Sequence, residues 1–321
     1  MGDAQLDSLI REVSNWGRWG PEDERGTVNL ITPERRRHAA SLVRKGAVFS
    51  LAIPFDLDGV PQLPETRRIN PQHWMLQTGT DLRAGRQGGA VDGWGYADDI
   101  VAMATHAATH WDGLSHIFYD YQMYNGRDCT LVSASGAARN GIDKLSRDLV
   151  ARGVLLDFPR LLGVDWLRMD HRISVAEIER AFEAGQVEPM PGDILLMRTG
   201  NMRRARRSGG WEEYAGTDEP GFGIEVLPWL HEHDVAGVAI DNWGFEALPS
   251  GHPTIWLPVH AVAVVHMGLL LGENFSLEEL AEDCASDGAY EFSWRCEAPK
   301  AAIFQVEGGP HPKRGGLRPH N

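Results

Sequence analysis

Cysteine is scarce in this 321-residue chain: Cys129, Cys284 and Cys296 stand far apart and form no CxxC pair. That excludes a disulfide framework and suits a reducing compartment. Positive charge is in deficit, with 31 Lys and Arg against 45 Asp and Glu and a formal net charge of −14. Phosphate neutralisation needs a basic surface, so nucleic acid is excluded as a partner. No apolar run approaches the roughly 18 residues that a membrane span requires. The opening Met1-Gly-Asp-Ala-Gln-Leu-Asp7 has no apolar core for a secretion signal. The expected address is therefore cytoplasmic, without a membrane partner. No Gly-x-Ser-x-Gly elbow is present, which argues against a serine hydrolase. Gly209-Gly210 and Gly308-Gly309 lack the strand–loop–helix setting of a nucleotide site. There is no internal repeat and no low-complexity linker. A hydrophobic content of 42% is ordinary for a globular protein and suffices for a substantial core.

What the chain does have is a cluster. His106, His110, Asp112 and His116 fall within Thr105-His-Ala-Ala-Thr-His-Trp-Asp-Gly-Leu-Ser-His116. Imidazoles and carboxylates are donors that zinc and manganese accept. The even offsets matter. On a helix Asp112 would sit about 240° round from His106, whereas extended chain points alternate side chains the same way. A straight strand would still hold the backbones of His106 and His110 about 13 Å apart, so a bend or bulge is expected at Ala107-Ala108. Ile100–Ala104 reads as a buried strand leading into the motif.

The stretch resembles the signature of the metal-dependent cyclase-like hydrolase family, which includes bacterial kynurenine formamidases and isatin hydrolases. The family pattern His-x-Gly-Thr-His-x-Asp-x-Pro-x-His is matched at His106, Thr109, His110, Asp112 and His116. It is departed from at Ala108 and Leu114, where the family often has Gly and Pro. His260 with Met267-Gly268-Leu-Leu-Leu-Gly-Glu273-Asn274 resembles the family's later His…Gly…Glu-Asn segment, and Trp16–Asn29 resembles the start of its longer members. The resemblance implies a swivelling β/β/α arrangement, a homodimer or homotetramer, and a general acid/base role for His116.

The rest of the pattern gives α/β with a mixed sheet. Residues 1–35 read as an irregular, Trp-rich N-terminal arm that wraps the body or a neighbouring subunit; 36–308 as the metal hydrolase domain; 309–321 as a loose tail. Strands are expected at Val48–Ile53, Gly153–Asp157, Asp193–Arg198, Val235–Ile240 and Ala301–Val306, and a long loop or irregular hairpin over 58–98. Ser174-Val-Ala-Glu177 and Ser276-Leu-Glu-Glu279 are capping-box sequences opening helices to about Ala184 and Cys284. Residues 224–233 read as a short helix interrupted near Pro228, and 258–266 as helical. The basic run Arg203–Arg207 reads as a solvated loop. His231-Glu232-His233 lacks the spacing that sets two imidazoles on one helix face and reads as a helix end.

His106, His110 and Asp112 supply three protein ligands and leave a position for water. His260 and Glu273 are the candidates to complete the site or to hold a second ion, zinc or manganese in either case. Trp111, Phe118 and Trp243 are the candidate walls for a small-molecule substrate. The chemistry expected is hydrolysis of a C–N or C–O bond in a small cyclic or aryl amide, lactone or ester. The alternatives are a lyase or cyclase on the same ion, and a metal-bound binding protein without turnover.

Overall fold

The computed structural model describes residues 3–54, 68–87, 93–145, 149–211, 214–216 and 218–296. A hairpin of β1 (Gln72–Gln77) and β2 (Asp98–Ala102) stands apart from a six-stranded mixed sheet. The sheet contains β3 (His110–Trp111), β4 (Val150–Asp157), β5 (Ile194–Arg198), β6 (Gly237–Ile240), β7 (Leu270–Glu273) and β8 (Glu291–Arg295). Their spatial order is β8-β4-β5-β6-β7-β3. The four central strands are parallel, while β8 and β3 pair antiparallel at the two edges. Helices α1 (Asp3–Val13), α2 (Pro33–Ser41), α3 (Val175–Ala184), α4 (Asn201–Arg207), α5 (Leu227–Glu232), α6 (Pro258–Val262) and α7 (Glu278–Asp287) surround it. The α/β fold with a mixed sheet is the one expected from the sequence.

The central strands read as unbroken apolar runs because both faces are covered. Leu155, Ile194, Leu196, Ala239 and Leu270 enter one core with Phe275 and Trp294. The alternate residues Val154, Leu156, Leu195, Met197, Val238 and Ile240 enter a second core with Ile178, Phe182, Leu227, Leu230 and Val259. The sheet is strongly curled. Six flat strands would hold their edges about 24 Å apart, yet Trp111 on β3 meets Trp294 on β8 with ring centroids 5.4 Å apart.

Several sequence expectations are met. Ser174 and Glu177 form a reciprocal capping box at the start of α3. A single-turn 3₁₀ segment Ile224–Val226 precedes α5, which carries Pro228 in its first turn. Residues 58–98 contain the first arm of a hairpin.

Others are corrected. Val48–Ile53 forms no strand; it is pinned instead by single bonds, Ser276 N to Leu51 O and Ile53 N to Thr109 Oγ1. The strand before the motif ends at Ala102 and is exposed along its length, not buried. Ser276 does not cap α7, whose N-cap is Leu277 with no side-chain bond, because the Ser276 backbone is tied to Leu51. The basic run is helix α4, held by Arg207–Asp165 and Arg203–Glu278 ion pairs, since six of its seven residues favour helix once Gly200 starts it. The expected strand at Ala301–Val306 lies outside the described residues. Among the described residues no helix is long and apolar enough to cross a membrane.

The N-terminal arm is not irregular throughout, since α1 opens it, but it does wrap the body. Leu6, Leu9 and Val13 of α1 enter the second of these cores, the outer one. Asn15 Nδ2 donates to Met267 O (2.8 Å), and Trp16 Nε1 donates to Val265 O (2.7 Å). Both carbonyls belong to a π-helical turn, Ala263–Met267, that follows α6. His266 in that turn stacks on Trp16 at 4.9 Å and is 8% exposed. Burial pushes its imidazole down from 6.5 to about 4. Between those values the unfolded chain binds the extra proton, so His266 lowers stability as pH falls from about 6.5 to about 4. Urea midpoints at pH 7 and pH 5 should therefore converge in His266→Phe relative to wild type; an unchanged difference would refute the assignment.

Candidate metal centre

The chain reaches the motif from β2 and turns sharply at 105–109, where Ala107 N donates to Ala104 O (2.9 Å). This is the bend that the spacing of His106 and His110 demands, and it brings their rings to 4.6 Å. Ala108 is buried beside Ile53, Met202, Tyr214 and Trp243, so its methyl group packs where a glycine would leave space. Leu114 is buried in the outer core.

After the bend, β3 pairs with β7 in a register that sets His110 opposite Glu273 and Trp111 opposite Gly272. Cross-strand partners share a face, so the imidazole and the carboxylate meet although 163 positions separate them. Thr109 fixes the approach: its hydroxyl accepts from Ile53 N (2.9 Å) and donates to Asn274 O. Asp112 N donates to Leu271 O (2.8 Å).

The donor atoms converge. His106 Nε2 and His110 Nε2 lie 3.4 and 3.5 Å from Asp112 Oδ1. His110 Nε2 lies 3.3 Å from Glu273 Oε2, and His260 Nε2 lies 3.1 Å from Glu273 Oε1 and 3.9 Å from Asp112 Oδ2. Donors about 2.1 Å from one tetrahedral ion are about 3.4 Å apart, so the His106–His110–Asp112 spacing fits a cation between them. Two groups satisfy that compactness, His106–His110–Asp112 and Asp112–His260–Glu273, and they share Asp112.

Electrostatics argue the same way. Asp112 is 2% exposed, and neither of its carboxylate oxygens has a hydrogen-bond partner; His110 Nε2 is equally buried and unpartnered. Buried polar atoms without partners are costly, and a cation would satisfy all three. Burial opposes charge on Asp112, yet the surrounding histidines hold it well below the ordinary carboxylate range. Burial likewise opposes charge on His110, but Asp112 and Glu273 outweigh it and draw its pKa up to about 9. Glu273 is held at about 2 against its own burial by His110 and His260.

Orientation comes from the far side of each ring. His110 Nδ1 donates to Ala108 O (2.8 Å), which leaves Nε2 as a lone pair facing the cluster. His260 does the same through Glu246: Nδ1 donates to Glu246 Oε1 (2.8 Å), and the same carboxylate accepts from the backbone of His260 (3.0 Å) and Val259 (3.1 Å). Glu246 thus caps α6 and aims His260 in one arrangement. Sequence reasoning missed it, because Phe245-Glu246-Ala247 carries no spacing signal relating it to His260.

A buried polar layer supports the site from behind, at the carboxyl ends of the parallel strands. Asp241 accepts from Thr199 N and Oγ1 (2.7 Å each) and Gly200 N (2.8 Å), and burial raises its pKa to about 6. Asn274, next to Glu273, donates its backbone N–H to Asn242 O (2.8 Å) and accepts from the Tyr214 hydroxyl (3.1 Å).

The remaining expected residues are placed as follows. His116 stacks on His106 at 4.1 Å, with Nε2 3.9 Å from Asp112 Oδ1, and burial pushes its pKa down to about 4. Trp111 points away from the donors, against Phe275 and Trp294. Phe118 is exposed, and Trp243 is buried in the cluster around Ala108. His231 and His233 lie elsewhere, the latter stacked on Trp229.

If Glu246 orients His260 toward a metal, Glu246→Gln should weaken metal binding roughly 10–100-fold while leaving the folded content unchanged. Competition against a chelator measures this, and unaltered affinity would remove Glu246 from the site.

Comparison with known proteins agrees with the geometry. Residues 49–247 match the family model described as Putative cyclase. A crystal structure described as that of a novel cyclase is 36% identical, with a TM-score of 0.77 over 88% of this chain and 92% of that one. Isatin hydrolase A from Labrenzia aggregata, solved with benzyl benzoate bound, is 17% identical, with a TM-score of 0.53 over 76% of this chain and 87% of that one. An isatin hydrolase bound to the product analogue thioisatinate is also 17% identical, with a TM-score of 0.51 over 72% and 80% of the two chains. No curated protein sequence matches. From its matched core and its similarity to that novel cyclase over most of its length, the chain belongs to the cyclase family.

Proposed function

We propose that the protein is a metal-dependent hydrolase that opens the C–N or C–O bond of an amide, lactone or ester. The observation carrying this reading is the pair of donor groups joined at Asp112, whose two oxygens face different histidines and accept no hydrogen bond. That sharing supports two ions, held by His106, His110 and Asp112 and by Asp112, His260 and Glu273. The imidazole and carboxylate donors accept zinc or manganese. When bound, such ions supply Lewis acidity to a carbonyl and lower the pKa of water.

The chain's own groups do the rest. His116 stacks on His106 with Nε2 3.9 Å from Asp112 Oδ1, and burial keeps its imidazole in the neutral form that a general base requires. It removes a proton from the attacking water, whose oxygen bonds to the carbonyl carbon. As the C–N or C–O bond breaks, His116 returns that proton to the departing nitrogen or oxygen. Glu246 and Ala108 O hold His260 and His110 in the required tautomers.

Turnover in heavy-oxygen water tests the reaction class: hydrolysis places the label in the new carboxylate, whereas elimination or cyclisation does not. Formyl-kynurenine, isatin and simple lactones are the first substrates to try. His116→Ala should keep its metal by elemental analysis while losing roughly a hundredfold or more in turnover; normal turnover would refute the role.

The homodimer or homotetramer is also part of this proposal. Trp74 and Ile100 are cross-strand partners in the detached hairpin and are 48% and 47% exposed, with Leu76, Trp94 and Val101 exposed nearby. An isolated two-stranded hairpin is marginal in water, and a second copy of the chain would cover this one. Trp74→Glu combined with Ile100→Glu should reduce the mass measured by light scattering to that of a monomer, and an unaltered mass would exclude the hairpin as the interface.

A further inference from the structure

A cavity of about 1170 Å³ opens beside the metal centre. His106, His110 and His116 line it together with a set of large apolar side chains, among them Phe49, Leu51, Trp111, Leu280, Phe292 and Trp294. It exists because the sheet curls: Trp111 and Trp294 come from its opposite edges.

Residues 42–47 and 49–52 run along this cavity. One end of the segment is fixed near the metal centre, where Ile53 N bonds to Thr109, the neighbour of His110. The other end is fixed at α7, where Lys45 Nζ lies 2.9 Å from Asp283 and 2.6 Å from Asp287. All three of these charged residues also line the cavity. The groove therefore leads from the donors, past aromatic and aliphatic walls, to a rim whose ammonium group is committed to two carboxylates.

Ligand pockets that hold drug-sized molecules are about 300–1,000 Å³. This one exceeds that range, and a single small ring at the metal centre would leave most of its apolar wall wet. We infer that the substrate carries its amide, lactone or ester carbonyl at one end of an extended apolar tail of about eight carbons or more, and that the tail lies in this groove. The inference rests on the hydrolase reading for the identity of the reacting group. Water adds to the carbonyl carbon, the C–N or C–O bond breaks, and the proton passes to the leaving atom, so no further reactant is needed.

Linear carboxylates mimic the acyl product and can be titrated by calorimetry into the full chain, with or without metal. Affinity should rise roughly tenfold for every two methylenes from butanoate to dodecanoate, as burial of each methylene requires. Ala47 and Ser50 are exposed residues on the groove wall, remote in sequence from the donor set. Ala47→Trp, or Ser50→Trp as an independent plug, should abolish the gain beyond octanoate and leave butanoate binding unchanged.

Affinity independent of chain length would overturn the inference. So would plugged variants that bind dodecanoate like wild type, or that change only the oligomeric mass, which would assign the groove to a second copy of the chain. Activity separates this result from the hydrolase reading. Length-dependent binding without turnover of any amide, lactone or ester refutes hydrolysis and keeps the groove, whereas equal turnover of short and long members of these classes keeps hydrolysis and refutes the tail.

Discussion

The short pairing of β3 with β7 is the contact on which the rest of the site depends. Its two rungs face opposite ways. His110 and Glu273 on one face point into the candidate metal centre, while Trp111 and Gly272 on the other enter the core inside the curled sheet. Gly272 is required there because a Cβ would come within 3.0 Å of Ala239 and of the Trp111 ring. A slip of one residue would exchange the faces, burying Glu273 against Phe275 and turning Trp111 toward the donors.

Charge explains how such a polar cluster can sit in the interior. Two carboxylates and three imidazoles are brought together at low solvent exposure, an arrangement that favours a bound cation over water or a proton. The hydrogen bonds that fix the imidazoles come from behind them, from Ala108 O and Glu246, leaving the forward-facing nitrogens turned toward Asp112 and Glu273. The Asp241–Thr199 and Asn274–Tyr214 bonds tie the ends of the parallel strands, so the donors are borne on rigid elements.

The N-terminal arm takes part in the same design at a distance. Asn15 and Trp16 bond the carbonyls of the π-helical turn that joins α6 to β7. That turn lies between His260 and Glu273, so the arm braces the connection between two donors. Trp16 also belongs to the stretch that resembles the opening of longer family members, which gives that resemblance a structural reason.

The candidate donors His106, His110 and Asp112 were legible in the sequence because they are local, and a bend is the economical way to close the 106–110 span. The alternating strands and helices after residue 150 were legible because apolar runs and capping residues act over a few positions. The partners of Asp112 across the sheet, the aim of His260 by Glu246 and the groove lined by Trp111 and Trp294 were not. Each joins residues far apart in the chain, through strand register or sheet curl that no local pattern encodes. Val48–Ile53 misled for the same reason: its residues favour a strand, but among the described residues no neighbouring strand offers a ladder there, and Leu51 and Ile53 are held by single bonds. The sequence by itself determined which atoms can grip a cation; the tertiary structure decided that two donor sets meet at one carboxylate and that an apolar groove opens beside them, because both depend on how the sheet pairs and curls.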